Sequence, residues 1–261
     1  MLLYAGIDEA GYGPMLGPLC LAASVFEIDG ADPTEGPPDL WKRLSSVVCR
    51  SPADRRRRIA VADSKRLKGA AGAKGHPLRH LERAALAFAA GDSGCPADDE
   101  SYLLAAGVPL AAILARSPWY RGEAVPLPLS GTAARLGIDA ARLRRGLAAA
   151  GVRVEAPIVE VIDEGDFNRL CDQAGKAQVN FAAAMRLLER IWERHASRHP
   201  RVIVDRLGGR VDYVAPLLRY FPGAELTVLG QSERVSRYRL QRDGSEITIS
   251  FEAESESRHL P

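Results

Sequence analysis

Carboxylates at the ends of apolar runs are the residues most able to do chemistry in this chain. Asp8 and Glu9 close the run LLYAGID, and a glycine-rich turn with Gly11 and Gly13 follows. Asp205 closes a second run, Val202-Ile203-Val204, and again glycines follow, Gly208 and Gly209. A third group, Glu252, Glu254 and Glu256, comes after the last alternating stretch. Acids at strand ends beside a sheet crevice are where α/β proteins build sites. Gathered carboxylates repel one another and call for a cation. Oxygen-only donors with no His or Cys partner favour Mg²⁺ or Mn²⁺ over Zn²⁺. A pair of such ions activates a water and stabilises the leaving oxygen of a phosphodiester. Each acid taken singly reads equally well as a turn cap or a surface ion pair. Neighbours in a regular strand point to opposite faces. Asp8 and Glu9 therefore serve one site only if the chain bends there, which Gly11 and Gly13 permit.

Asp63-Ser64-Lys65 is the second motif. A hydroxyl beside an ammonium can hold one phosphate, and the same triplet also suits a helix N-cap. It lies in a strongly basic segment: residues 42–68 hold ten basic and two acidic residues. The plain reading of its arginine run is a solvated helix face. The chain as a whole carries only +2, so binding to an anionic partner has to come from such a local patch.

The elements that must position these groups follow from periodicity. Strands are expected at 2–8 and 18–28, forming a hairpin that starts a sheet. The stretch 30–40 reads as a loop. An Ala-, Gly- and Pro-rich segment, 69–155, reads as an insertion or elaboration, with helices at 78–91 and near 138–150 and mixed turn signals over 92–130. Further on, a strand at 157–163 precedes a helix at 176–196 with apolar residues at helical spacing, Trp192 and Met185 among them. A short strand at 201–205, a helix at 211–220, a strand at 225–229 and a hairpin over 235–251 turning at Asp243-Gly244 complete the chain. The expected class is α/β, a mixed sheet flanked by helices, in one domain spanning 1–261. Composition, with 46% hydrophobic and 26% charged residues, excludes a disordered or collagen-like chain. The four cysteines are scattered, which predicts free thiols in a reducing compartment. Neither a transmembrane helix nor a signal peptide is expected. His76 and His80 read as surface residues, and His259 lies near the acids.

The string Gly6-Ile7-Asp8-Glu9-Ala10-Gly11-Tyr12-Gly13-Pro14, with Gly17-Pro18 after it, resembles the N-terminal motif of the type 2 ribonucleases H (ribonuclease HII and its HIII relatives). Asp63-Ser64-Lys65-Arg66-Leu67 is similar to that family's second motif. The stretch from Ile162-Asp163 through Phe167-Asn168 to Ala184-Met185 is similar to its central helix region, and Val202-Ile203-Val204-Asp205 to a metal-ligand strand. The resemblance covers about half of the chain, in order. It implies a ribonuclease H-like fold and hydrolysis of the RNA strand of RNA–DNA hybrids, with Mg²⁺ or Mn²⁺ as cofactor. It implies that Asp8, Glu9 and Asp205 bind metal, that Glu256 matches the fourth acid with Glu254 as the other candidate, and that Ser64 and Lys65 contact the nucleic-acid backbone. It also implies that the Gly11-Tyr12-Gly13 turn meets the 2′-hydroxyl. Tyr12 stands where the family has a basic residue, the fourth acid is Glu rather than Asp, and family members continue past this chain's last residue into a helix. These departures keep two other readings open: a ribonuclease H-like binding protein with little or no catalysis, and a two-metal nuclease with another nucleic-acid substrate. A cytoplasmic monomer whose partner is an RNA–DNA hybrid, with no membrane association, is the expectation.

Overall fold

The first six residues of β1 (Leu2–Glu9) are all buried. A strand apolar on both faces must have both faces covered, and this fixes the architecture. The computed structural model describes residues 1–10, 17–31, 38–69, 75–90, 94–207 and 210–260, with the backbone alone at 256–257. On one side β1 pairs antiparallel with β2 (Leu19–Ile28), in register from Leu2–Ile28 to Glu9–Leu21. On the other it pairs parallel with β7 (Arg201–Asp205), and β7 pairs parallel with β10 (Ser245–Glu252). β9 (Val235–Arg242) and β8 (Glu225–Gln231) extend that side antiparallel. β5 (Val152–Val154) and β6 (Ile158–Ile162) both pair with β2, at opposite ends of it. The sheet order is β5-β2-β1-β7-β10-β9-β8, with β6 beside β2. The short strands β3 (Val48–Cys49) and β4 (Ile59–Ala60) pair with each other, parallel. The expected α/β class with a mixed sheet is therefore present.

Helices cover both faces. α8 (Lys176–Arg194) buries Val179, Phe181, Met185, Leu188, Ile191 and Trp192 against the odd-numbered side chains of β1, Leu3, Ala5 and Ile7. The opposite face, bearing Tyr4, Phe26 and Ile203, packs against Leu86 of α3 (Arg79–Ala89) and Leu136 and Leu143 of α6 (Ala133–Ala149). The segment 69–155 thus supplies one of the three layers, and β5 near its end joins the sheet.

Local chemistry explains where the elements differ from expectation. α6 starts at Ala133, ahead of the expected 138, because the Thr132 hydroxyl accepts from the Arg135 amide at 3.2 Å. Within 92–130, α4 (Asp99–Ala105) opens with a reciprocal Asp98–Ser101 capping box, and α5 (Leu110–Arg116) follows. α7 (Glu164–Ala174) starts on an Asp163 cap and stops at Gly175, whose φ of +77° separates it from α8. α9 (Val214–Tyr220) begins later than 211. Two helices of four residues, α1 (Leu40–Arg43) and α2 (Ser64–Leu67), flank the basic segment, and a third, α10 (Ser255–Arg258), lies near the end of the chain. The arginine run 55–58 is a turn leading into β4, not a solvated helix face. The β9–β10 hairpin turns at Asp243 and Gly244, both with positive φ, as a two-residue hairpin requires. Among the described residues no helix is long and apolar enough to cross a membrane.

One glycine has a packing reason. A Cβ on Gly146, in the interior of α6, would lie 2.4 Å from Val47 Cγ1. Val is stiff at χ1 and has no flexible end to withdraw. Gly146→Ala is expected to destabilise the fold by about 1–2 kcal/mol, because overpacking outweighs the gain in helix propensity. Urea denaturation checks this; an equal or higher midpoint would contradict the packing of α6 on Val47.

Candidate active site

The register brings distant acids to one edge. Ile7 pairs with Val204, so Asp8 and Asp205 end neighbouring parallel strands one residue further on. Asp205 in turn pairs with Glu252 at the end of β10. Because side chains alternate, Asp8, Asp205 and Glu252 share the sheet face of Tyr4 and Ile203, the face covered by α3 and α6. Asp8 is exposed, Asp205 is half-buried and Glu252 is buried.

Glu9 goes the other way. β1 remains paired through Glu9–Leu21, and the Ala10 amide still donates to the Cys20 carbonyl at 2.9 Å. No bend therefore unites Asp8 and Glu9 within the strand, and alternation turns Glu9 toward α8. There the buried side chain of Asn180 favours its charged form. Glu9 Oε2 and Asn180 Oδ1 are buried with no partner among the described residues. Burial, and then the negative charge of Asp205, push the Glu9 carboxyl above the usual glutamate range. An orphaned carboxylate oxygen within the field of a second acid is the chemistry that a hard cation relieves.

Asp205 also organises the end of the chain. Its Oδ1 accepts from the Ser255 hydroxyl at 3.2 Å and, weakly, from the Ser255 amide at 3.5 Å. This ties the start of α10 to β7 and places Glu256 on the helix that Asp205 holds. The Glu256 side chain lies outside the described residues. Glu254 is exposed, with φ of +55°, at the residue that leads into α10. Glu252 proves to be a structural acid: its Oε2 lies 3.0 Å from His259 Nε2 and 3.2 Å from an Arg258 guanidinium nitrogen. His259 Nδ1 is 2.6 Å from the Tyr4 hydroxyl. An ionised Glu252 only accepts, so His259 donates to it from Nε2, while its Nδ1 meets the Tyr4 hydroxyl. Burial raises the Glu252 carboxyl, but the His259 hydrogen bond and the His259, Arg258 and Arg237 charges outweigh it and hold it below the usual range. Burial, helped by the Glu252 charge, pushes the Tyr4 phenol up, so it keeps its proton.

Two recesses meet at Val61. A cavity of about 420 Å³ opens beside Asp8, floored by Gly6, Ala22 and Ser24 and walled by Phe88 and Tyr102. A second, of about 380 Å³, is lined by Trp41, Arg50, Asp63, Lys65 and Arg66. The Arg50 guanidinium sits 4.1 Å above the Trp41 ring. Trp41 Nε1 is buried without a partner among the described residues. Asp63 caps α2 by accepting from the Lys65 amide at 2.7 Å, while Ser64 and Lys65 stay exposed. The cap thus holds the backbone and leaves the hydroxyl and ammonium at the surface.

Gly11, Tyr12 and Gly13 lie outside the described residues, as do Gly208 and Gly209. Among the described residues no group of three or more Asp, Glu, His or Cys side chains is arranged to hold an ion, and His76 and His80 are half-buried. The four cysteines are free thiols. Sequence reasoning passed over Asn180, Ser255 and Trp41. Asn180 carried a readable signal, a polar residue between apolar neighbours in a buried helix; Ser255 and Trp41 carried none.

The two buried glutamates titrate in opposite senses. A raised carboxyl costs stability once ionised, so Glu9→Gln is expected to stabilise the protein at pH 7, with the gain fading as pH falls through the raised folded-state pKa and gone below the ordinary value of 4.5. A lowered carboxyl contributes stability above that value and loses it as pH falls toward the folded-state pKa. Glu252→Gln is therefore expected to cost about 2 kcal/mol at pH 7 and progressively less below pH 4.5. Thermal melts of both variants between pH 3 and 7 check the signs; a shift in the same direction for both would contradict the assignment.

Comparison of the chain with protein-family models, with curated proteins and with solved structures finds no match.

Proposed function

We propose that this protein is a ribonuclease H-like endonuclease that hydrolyses the RNA strand of RNA–DNA hybrids with Mg²⁺ or Mn²⁺. One observation carries the reading: Asp8 and Asp205, about two hundred residues apart in sequence, end adjacent parallel strands on one sheet face. The mixed sheet, with acids at the carboxyl ends of its central parallel strands, supports a ribonuclease H-like fold. The donor set is oxygen-only, and the orphaned Glu9 oxygen near Asp205 suits a hard cation. Asp8, Asp205 and, from α10, Glu256 would hold the metal, with Glu9 adding negative charge from the other face. When bound, it supplies Lewis-acid charge at the scissile phosphate and lowers the pKa of the attacking water.

The protein's own groups do the positioning. Asp205 orients α10 through Ser255, and the Glu252–His259–Tyr4 chain fixes the residues that follow. The exposed Ser64 hydroxyl and the Lys65 ammonium engage backbone phosphates beside the Trp41–Arg50 recess. By the resemblance, the Gly11-Tyr12-Gly13 segment would contact the 2′-hydroxyl, the group that distinguishes RNA from DNA.

Asp205→Asn keeps the acceptor for Ser255 and removes the charge. It is expected to reduce metal-dependent cleavage of a labelled hybrid by about 10³-fold or more with an unchanged melting temperature. Undiminished cleavage removes Asp205 from the mechanism. Hybrid binding by the wild-type chain with no cutting in either Mg²⁺ or Mn²⁺ makes it a binding module instead.

A further inference from the structure

A third recess lies in the segment that the resemblance does not cover. The turn at 54–58 and the start of α3 close against the start of α6 around a cavity of about 360 Å³. Five arginines line it, 57, 58, 79, 83 and 135, against two acids, Asp54 and Asp139, an excess of three positive charges. Like charges do not gather unaided, and this gathering has a visible scaffold. Asp139, 5% exposed, accepts from Arg83 Nε at 2.7 Å and lies 3.6 Å from Arg135. Arg83 donates its other nitrogens to the Arg57 and Arg58 carbonyls, both at 3.0 Å. Arg142 of α6 donates to the Arg56 carbonyl at 2.9 Å. The arginine turn is thus pinned through its backbone, so its side chains are left to face outward. Arg58 is committed to Asp54 and to the Ser45 carbonyl.

What remains is cationic and open. Arg57 is exposed and has φ of +59°. A residue with a β-carbon takes that conformation at a cost, and such strain recurs at ligand clamps. The side chain of Arg135 is half-exposed. His80 Nε2 accepts from Arg79 Nε at 3.1 Å, so His80 is uncharged there; burial and the Arg79 and Arg83 charges lower its pKa. Planar guanidinium groups converging on one recess match the oxygens of a phosphate.

We propose that this cavity is a phosphate-binding site, separate from the acidic edge, that takes a backbone phosphate of the nucleic acid. The source of the phosphate rests on the proposed function; the site itself does not. α3 connects the two places. Arg79 and Arg83 line the arginine cavity, and Phe88 walls the cavity beside Asp8. The separation along the helix is about 8–13 Å, the axial span of roughly two to four phosphates of one strand.

The test is made in EDTA, where no cleavage occurs. A fluorescent RNA–DNA hybrid is titrated at several salt concentrations against the wild type, Arg57→Gln and the double variant Arg57→Gln/Arg135→Gln. Inorganic pyrophosphate is titrated in parallel by calorimetry. Melting temperatures of the variants show that they are folded, and Arg57→Gln alone, at an exposed side chain, guards against a folding defect in the double variant. The expected result is a salt slope reduced by about one for the single variant and two for the double. Affinity for the hybrid is expected to fall about tenfold per arginine at low salt. Unchanged slope and affinity in folded variants overturn the site while leaving nucleic-acid binding intact. If the wild type ignores the hybrid but binds pyrophosphate, and the variants lose that binding, the site stands with a small phosphorylated ligand as its source. Failure of the wild type to bind either probe overturns it.

Discussion

The convergence of carboxylates at the carboxyl ends of β1, β7 and β10 is the constraint on which the rest of this structure depends. Three parallel strands in register place Asp8, Asp205 and Glu252 side by side on one face. Carboxylates gathered on one face call for compensation, and the acids here find it in different ways. Glu252 receives it from His259 and Arg258 within the fold. Asp205 is satisfied in part by Ser255. Glu9, on the reverse face, has its charged form favoured by Asn180, and its Oε2 is buried with no hydrogen-bond partner among the described residues. Of these acids Glu252 is the most fully paired within the fold, through His259 and Arg258.

The same logic explains why the chain returns across the sheet after β10. Glu252 is buried because α10 and the residues after it lie over the end of β10, and they stay there because His259 bridges Glu252 to Tyr4 of β1. Removing any member leaves a buried polar group unpaired, which costs more than the hydrogen bond itself is worth. The loop after Asp205 is secured separately. The Leu207 amide donates to the Tyr213 hydroxyl at 3.2 Å, and the Tyr213 ring stacks on Phe251 at 3.6 Å. Aromatic stacking beneath a strand end fixes the direction in which Asp205 leaves the sheet.

Patterns in the sequence carried the fold where local chemistry and tertiary packing agree. β1, β2, α8, β7 and the β9–β10 hairpin follow from apolar runs, helical spacing and the Asp243-Gly244 turn. The start of α6 and the existence of α4 were harder to read, because their caps, Thr132 and Asp98, sit in a stretch crowded with other turn-forming residues. The convergence of Asp8 and Asp205 was readable from two acids at the ends of apolar runs. The divergence of Asp8 and Glu9 was not, because it depends on how far β1 stays paired, and only the register through Glu9–Leu21 decides that. Glu252 looked like its neighbours Glu254 and Glu256. What separates it is burial beneath His259, a contact between residues 4, 252 and 259 with no local signature.

The arginine turn shows how a charge cluster acquires a purpose that composition alone cannot assign. Along the sequence, four consecutive arginines suggest a solvated face. In the fold, Arg83 and Arg142 hydrogen-bond to the carbonyls of Arg56, Arg57 and Arg58. A cation that satisfies backbone oxygens adds to the local positive potential instead of cancelling it, and Asp139 offsets only part of that charge. A surface built merely for solubility would intersperse the two signs. Here the two acids, Asp54 and Asp139, are spent holding arginines in place, so the unbalanced charge is fixed in geometry as well as in sign. That preorganisation separates an anion site from a charged surface: the entropy of assembling the guanidinium groups is settled on folding, before any phosphate arrives.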